Sequence, residues 1–199
     1  MRARNSIVKQ DARRLHLAAL VWTLLCAGAC ALSPQTVRIH PELETPALGP
    51  AKPATIALQV SDARGAALVG RRGGVYRTAT ITTDPGMADA VRSELARILS
   101  ARGFRVVGAG ETDEIRLTVE IVELGYSVTQ QKVTRLIETT AAVRARSVSG
   151  ETVRTGEYAD RRTKEVVKAP SAADNEALIN DVLSSALQRL VSDPDLLGG

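Results

Sequence analysis

The stretch Ile115-Arg116-Leu117-Thr118-Val119-Glu120-Ile121-Val122-Glu123-Leu124-Gly125-Tyr126-Ser127-Val128 constrains the fold more than any other part of the chain. Apolar residues hold the odd positions through Ile121, then switch to the even positions Val122, Leu124, Tyr126 and Val128. A strand sends alternate side chains to opposite faces. A one-residue slip of phase therefore turns the apolar set from core to solvent unless an extra residue absorbs it. The pattern predicts one long strand with a bulge or kink between Ile121 and Leu124, lying on a sheet with one buried face.

Other strands flank it. Ile56, Leu58 and Val60 alternate, and Phe104, Val106 and Val107 form a short run before the Gly108-Ala109-Gly110 turn. Residues 133–148 alternate again, with Ile137, Ala141, Val143 and Ala145 on one face. Ser149-Gly150 is a hairpin signal, and the return strand from Glu151 to Thr163 is poor in apolar residues, as at a sheet edge. Arg161, Arg162 and Lys164 there discourage edge-to-edge pairing.

Two helices complete the pattern. Asp84 and Pro85 read as an N-cap and a first helical residue. Met87, Val91, Leu95, Ile98 and Leu99 follow at spacings of three and four, and Gly103 closes the helix. The second starts at Ser171 with Asp174 as capping-box partner, carries an apolar face from Leu178 to Val191, and stops before Pro194. The expected class is α+β, with two helices packed on one face of a mostly antiparallel sheet of four to five strands. Aromatic residues are only 3% of the chain, so its core is aliphatic.

The net charge of +4 suggests a basic protein, but the excess is local. Five of the 26 basic residues and one of the 22 acidic residues lie in positions 1–29, leaving 21 of each from position 30 onward. A neutral remainder argues against nucleic acid as partner. The first 29 residues have the order of an export signal: basic residues to Arg14, an uncharged run from Leu15, then Ala27, Gly28 and Ala29. A retained membrane helix is the alternative, and the 18 uncharged residues from Leu15 to Leu32 stand at the bottom of the spanning range. The small residues closing the run favour cleavage.

Ala27-Gly28-Ala29-Cys30 resembles a bacterial lipobox, with cleavage after Ala29 and acylation of Cys30; Ala27 replaces the usual leucine. Cys26, the only other cysteine, follows bulky Leu24 and Leu25 and fits less well. After cleavage Cys30 has no disulfide partner, and acylation removes an otherwise liable thiol. Stable attachment needs more than one acyl chain, as bacterial lipoproteins carry. Five of the eight prolines fall between residues 31 and 53, which gives the organisation 1–29 signal peptide, 30–53 acylated cysteine and Pro-rich tether, 54–199 single periplasmic domain. A short strand within Thr36 to His40 would pin part of that tether.

No catalytic constellation emerges. From residue 48 onward there is neither histidine nor cysteine, which excludes from the domain a Ser-His-Asp triad, a cysteine nucleophile and the usual zinc ligands. Glu111, Asp113 and Glu114 cluster in a turn, read as solvated charge rather than as a calcium site or paired catalytic carboxylates. No metal or cofactor is expected. The candidate binding feature is the long connection 61–83, where Arg71 and Arg72 between glycines, with Tyr76 nearby, suit an acidic group on lipid, lipopolysaccharide or a protein partner.

Taken together, Ala27 to Cys30, Thr36-Val37-Arg38-Ile39-His40-Pro41, Val60 to Arg64, Glu94 to Val106 and the closing helix from Asn175 to Leu190 resemble the YajG family of uncharacterised bacterial lipoproteins. The resemblance implies an outer-membrane lipid anchor and a periplasmic domain, and it brings no established activity with it. Ala31 in place of aspartate after the cysteine fits export to the outer membrane. The expected role is a non-enzymatic binding or assembly component of the cell envelope. The alternative is a lipid- or lipopolysaccharide-binding auxiliary of an envelope transport system.

Overall fold

The structure is a computed structural model that describes residues 33–45, 54–73, 76, 78–108, 110 and 115–197. Cys30 and Ala29 lie outside the described residues, as does the turn cluster Glu111, Asp113 and Glu114. Residues 34–199 form one compact unit.

Among the described residues eight strands and two helices follow one another: β1 (Gln35–Val37), β2 (Thr55–Asp62), β3 (Leu68–Arg71), β4 (Thr80–Thr83), α1 (Met87–Ala101), β5 (Arg105–Val107), β6 (Ile115–Gln130), β7 (Arg135–Ser149), β8 (Thr152–Val166) and α2 (Ala172–Val191). The expectation of a mostly antiparallel sheet of four to five strands is overturned. The described residues form one eight-stranded mixed sheet in which β1–β4, β2–β5, β2–β6 and β3–β6 pair in parallel. Only β3–β4, β6–β7 and β7–β8 are antiparallel. The extra strands come largely from the connection 61–83, which is not a loop but carries β3 and β4.

The topology turns on β6. One edge is taken along its length by β7. The other is shared: β2 pairs with Ile115 to Ile121, and β3 rejoins farther on, where Gly70 lies opposite Tyr126. β2 and β3 thus act as one strand interrupted by an excursion at residues 63–67. Arg64 clamps that excursion, binding Asp62 at 2.8 Å and Thr83 Oγ1 of β4 at 3.0 Å.

The change of phase in β6 is resolved as expected. Register with β7 slips between Ile121 and Glu123, so Ile121 opposes Val143 while Leu124 opposes Ala141. The bulge keeps both halves facing inward: Leu117, Val119 and Ile121, then Leu124 and Tyr126, are all buried. Met87, Val91, Leu95, Ile98 and Leu99 of α1 and Ile179, Val182, Leu183, Ala186, Leu187 and Leu190 of α2 pack onto them in a single aliphatic core.

The helix ends follow local chemistry. At α2, Ser171 Oγ accepts from the Asp174 amide and the Asp174 carboxylate accepts from the Ser171 amide, a complete capping box. After α1, Gly103 sits at φ +94°, with Phe104 N–H bonded to Leu99 O and Gly103 N–H to Ser100 O. This is the paired closure that glycine's left-handed freedom permits. Asp84 does not cap α1: the helix starts after Gly86 without a side-chain cap, and Asp84 Oδ1 instead accepts from the Ile39 amide at 3.4 Å.

That contact belongs to a strap. Residues 34–45, read from sequence as tether, lie on the domain with Val37, Ile39 and Leu43 buried. Alternate amides are taken by side chains four residues apart on α2. Arg38 N–H donates to Glu176, His40 N–H to Asn180, Glu42 N–H to Ser184 and Glu44 N–H to Gln188, at 2.7–3.0 Å. Two residues of extended, polyproline-like chain advance about 6.2 Å and one step of four along a helix about 6 Å, so the ladder stays in register. From α1, Glu94 accepts from Leu43 N–H at 2.7 Å and Arg97 donates to Leu43 O at 2.8 Å.

Asn180 is the rung with most to lose. It is 5% exposed, accepts from His40 N–H and donates to Arg38 O. Asn180→Ala should lower unfolding free energy by roughly 1–3 kcal/mol, because it strips partners from part-buried backbone groups. Ser184→Ala, at an exposed rung, should cost less than about 1 kcal/mol. Urea unfolding of the two variants checks the order, and equal losses would contradict the ladder.

Candidate functional site

The β3–β4 connection folds back where β3 meets the far half of β6. Contact there is close: a Cβ on Gly70 would stand 1.9 Å from the Tyr126 carbonyl oxygen, and one on Gly73, at φ +68°, 2.9 Å from Val128 Cβ. No other residue permits this approach. The connection is tied by Tyr76 N–H to Gly73 O and by Ala79 N–H to Tyr76 O, each 2.9 Å.

The three residues singled out from sequence divide by environment. Arg72 is 6% exposed, its Nη2 donating to Pro170 O at 2.9 Å and its guanidinium carbon 5.2 Å from the Tyr76 ring centroid. Tyr76 is half-buried and also lies 5.6 Å from the guanidinium carbon of Arg135, within cation–π range of both. Arg71 is exposed and lines a shallow groove of about 700 Å3 with Leu68, Thr80 and Ser127. Arg72 and Tyr76 thus brace the connection, and Arg71 faces outward.

Beneath them runs a buried polar chain. Tyr126 Oη donates to Asn175 Oδ1 at 2.8 Å, and Asn175 Nδ2 donates to Gln35 Oε1 at 2.7 Å. Sheet, second helix and strap meet in these two bonds, with Asn175 fully buried. Burial pushes the Tyr126 phenol up to about 12, although the charges of Arg72 and Arg135 pull the other way. Its desolvation outweighs the two cations.

Sequence reasoning did not find Arg135, Tyr126, Asn175 or the carbonyl of Pro170 as parts of this region. Arg135 opens a strand 59 positions beyond Tyr76, and nothing in local spacing points from one to the other. Lys132 precedes Arg135 in the β6–β7 turn, and Lys164 and Lys168 stand exposed at the end of β8 that pairs with Arg135; the sequence presented Lys164 only as edge protection. Chemically the region offers guanidinium and ammonium donors suited to anionic oxygens. Among the described residues no three His, Cys, Asp or Glu side chains converge as a metal site.

Comparison with known proteins bears on fold and family. A family model described as uncharacterised lipoprotein matches residues 41–198. A crystal structure of a protein from Xanthomonas campestris superposes with a TM-score of 0.51 at 16% identity, covering 83% of this chain and 94% of that one. This likeness is one of fold. Lipoprotein GNA1162 of Neisseria meningitidis gives a TM-score of 0.37 at 14% identity, covering 71% of this chain and all of its own. A neuraminyllactose-binding hemagglutinin homologue of Helicobacter pylori gives 0.42 at 9% identity, covering 80% and 95%. No curated protein matches the sequence.

Tyr126→Phe tests the buried chain. Removing the hydroxyl leaves Asn175 Oδ1 without its donor and should cost about 1–2 kcal/mol at neutral pH. A phenol raised from 10.0 to about 12 in the folded state gives stability that is complete below pH 10 and lost as pH climbs toward 12. The variant should therefore show a shallower alkaline decline across that window. An unchanged slope in thermal unfolding would place the shift elsewhere.

Proposed function

This chain belongs to the uncharacterised lipoprotein family, and from that premise we propose a lipid-anchored outer-membrane protein that acts as a non-enzymatic binding or assembly component of the envelope. Its domain stands in the periplasm. The observation that carries the reading is Cys30 behind Ala27-Gly28-Ala29 in a chain whose following residues match a lipoprotein family. Ala31 supports the outer-membrane address. No helix among the described residues is long and apolar enough to cross a membrane; in this reading the anchor is the acyl chains at Cys30.

The role is binding rather than catalysis because the polar groups that converge in the domain are donors and braces. Arg72 and Tyr76 are engaged in packing the β3–β4 connection, and the one imidazole of the unit, His40, lies in the strap against Asn180. A second reading, recognition of lipid or lipopolysaccharide, is favoured by one observation: Lys132 in the β6–β7 turn and Lys164 and Lys168 at the end of β8 stand exposed at the end of the sheet where Arg135 reaches Tyr76.

In cells fed labelled palmitate, the protein should take up label, and Cys30→Ser should abolish it. Globomycin should cause the unprocessed form to accumulate. Membranes separated by density should place the acylated protein in the outer-membrane fraction. Native protein with an intact, unacylated leader would overturn the reading.

A further inference from the structure

The domain is formally neutral, yet its charge is unevenly placed. The β6–β7 turn, the end of β8 and the β3–β4 connection all meet at one end of the sheet. Gln130 opposes Arg135 and Arg135 opposes Val166, which puts Lys132 and Val133 beside Val167 and Lys168. Arg135 reaches Tyr76, and Arg72 closes the ring through the carbonyl of Pro170. Arg71, Lys132, Lys164 and Lys168 are exposed here and Arg135 half-exposed. The acidic groups facing them are Glu165, bonded to Thr134, and Asp174, bonded to Ser171. At the other end Glu151, Asp193 and Asp195 are accompanied by Arg154, bonded to the Asp195 carbonyl, and Arg102, bonded to that of Val191, so cations and carboxylates are mixed there.

Two of the four large hydrophobic residues that stand exposed in the described structure project at the basic end: Val133, 79% exposed, and Val167, 71% exposed. The chain also enters at this end. Gln35 Oε1 accepts from Asn175, which in turn accepts from Tyr126, and Gln35 pairs with Ile81, one position from the Thr80–Arg71 pair. Only four residues separate Gln35 from Cys30, a span of at most about 18 Å.

We propose that this end of the domain is its membrane-docking surface, with the lysines and arginines on anionic phospholipid headgroups and Val133 and Val167 dipping into the interface. The inference rests on acylation of Cys30, which holds the basic end within reach of the bilayer. Basic groups gain from an anionic surface only within about a Debye length, roughly 10 Å at 0.1 M salt. A strap fixed to the domain from Gln35 onward, with only four residues between it and Cys30, keeps the basic end close to that range. Exposed valine tips add apolar area that a headgroup boundary removes from water.

The test uses the processed, acylated protein in vesicles of phosphatidylcholine alone or mixed with phosphatidylglycerol. Acylated Cys30 has no free thiol, so Val133→Cys supplies one site for an environment-sensitive dye, and Glu151→Cys marks the opposite end. On phosphatidylglycerol vesicles the dye at position 133 should brighten about twofold or more, and salt should reverse the gain. The dye at 151 should not change. Reversing Lys132, Lys164 and Lys168 to glutamate should abolish the response while circular dichroism stays native. If that variant fails to fold, the salt titration of the single Val133→Cys protein decides.

A dye at 133 that stays in water although mass spectrometry shows the acyl chains would overturn the docking surface and leave the anchor standing. Brightening at 151, or a response that requires lipopolysaccharide in place of phosphatidylglycerol, would overturn it as well. Labelling of Cys30 itself would instead sink the anchor.

Discussion

The strap from Gln35 to Glu44 is the constraint on which the arrangement of this domain depends. It closes the groove between two helices that are otherwise nearly independent, each packed on a different part of the sheet. Its backbone takes side-chain acceptors from α2 at every second residue and from Asp84 and Glu94 on the other side. Ile39 and Leu43 fill the apolar gap below. An extended segment in this place would bring a row of unpaired amides into a half-buried groove, an expensive arrangement unless each is met. Glu94 shows how charge helps: the Arg97 guanidinium beside it, together with the Leu43 amide, holds its carboxyl below the usual glutamate value, so it remains an acceptor into acid.

The bulge in β6 solves a related problem within the sheet. A strand of 16 residues must serve two partners on one edge, β2 along its first half and β3 near its far end. One inserted residue adds local twist and resets the phase, so Leu124 and Tyr126 return to the face used by Leu117 and Val119. Tyr126 then lies under Asn175, and Gly70 passes over the Tyr126 carbonyl without a side chain to collide. The position of the β3–β4 connection, and with it Arg71, Arg72 and Tyr76, follows from that single residue.

Features that depend on local spacing were legible in the sequence. The parity switch marked the bulge, Ser171 and Asp174 marked a real capping box, and Gly103 marked the end of α1. Features that depend on distant partners were not. β1, β3 and β4 have three or four residues each, too short for a period; β3 and β4 pair locally, but β1 joins β4 across 46 positions and β3 crosses to β6. Hence a mixed eight-stranded sheet was read as a smaller antiparallel one. Asp84 looks like an N-cap because its sequence neighbours suit one, but the Ile39 amide claims its carboxylate from a strap that local sequence presents as linker. Arg72 reads as a free cation between glycines, yet its receiving carbonyl on Pro170 is 98 positions away. The family match over residues 41–198, by contrast, agrees with the resemblance seen in scattered short motifs, because order and spacing over that length survive where single motifs are weak.

Charge on the two exposed surfaces has different standing. On the sheet face away from the helices, Arg144 lies 3.6 Å from Glu120 and 3.8 Å from Glu157, and Arg161 lies 3.4 Å from Glu138. Such exposed pairs add little stability, but they cancel one another's field, and a face so balanced offers no net attraction to an anionic surface. The end near the strap's entry has more cations than carboxylates and two valines beside them. A domain that is neutral in sum can therefore be oriented by where its charges stand, without any excess of charge to pull it onto nucleic acid or other polyanions. With the strap fixing the entry of the chain and the bulge fixing the hairpins around it, backbone features rather than total charge give this small neutral domain a polarity.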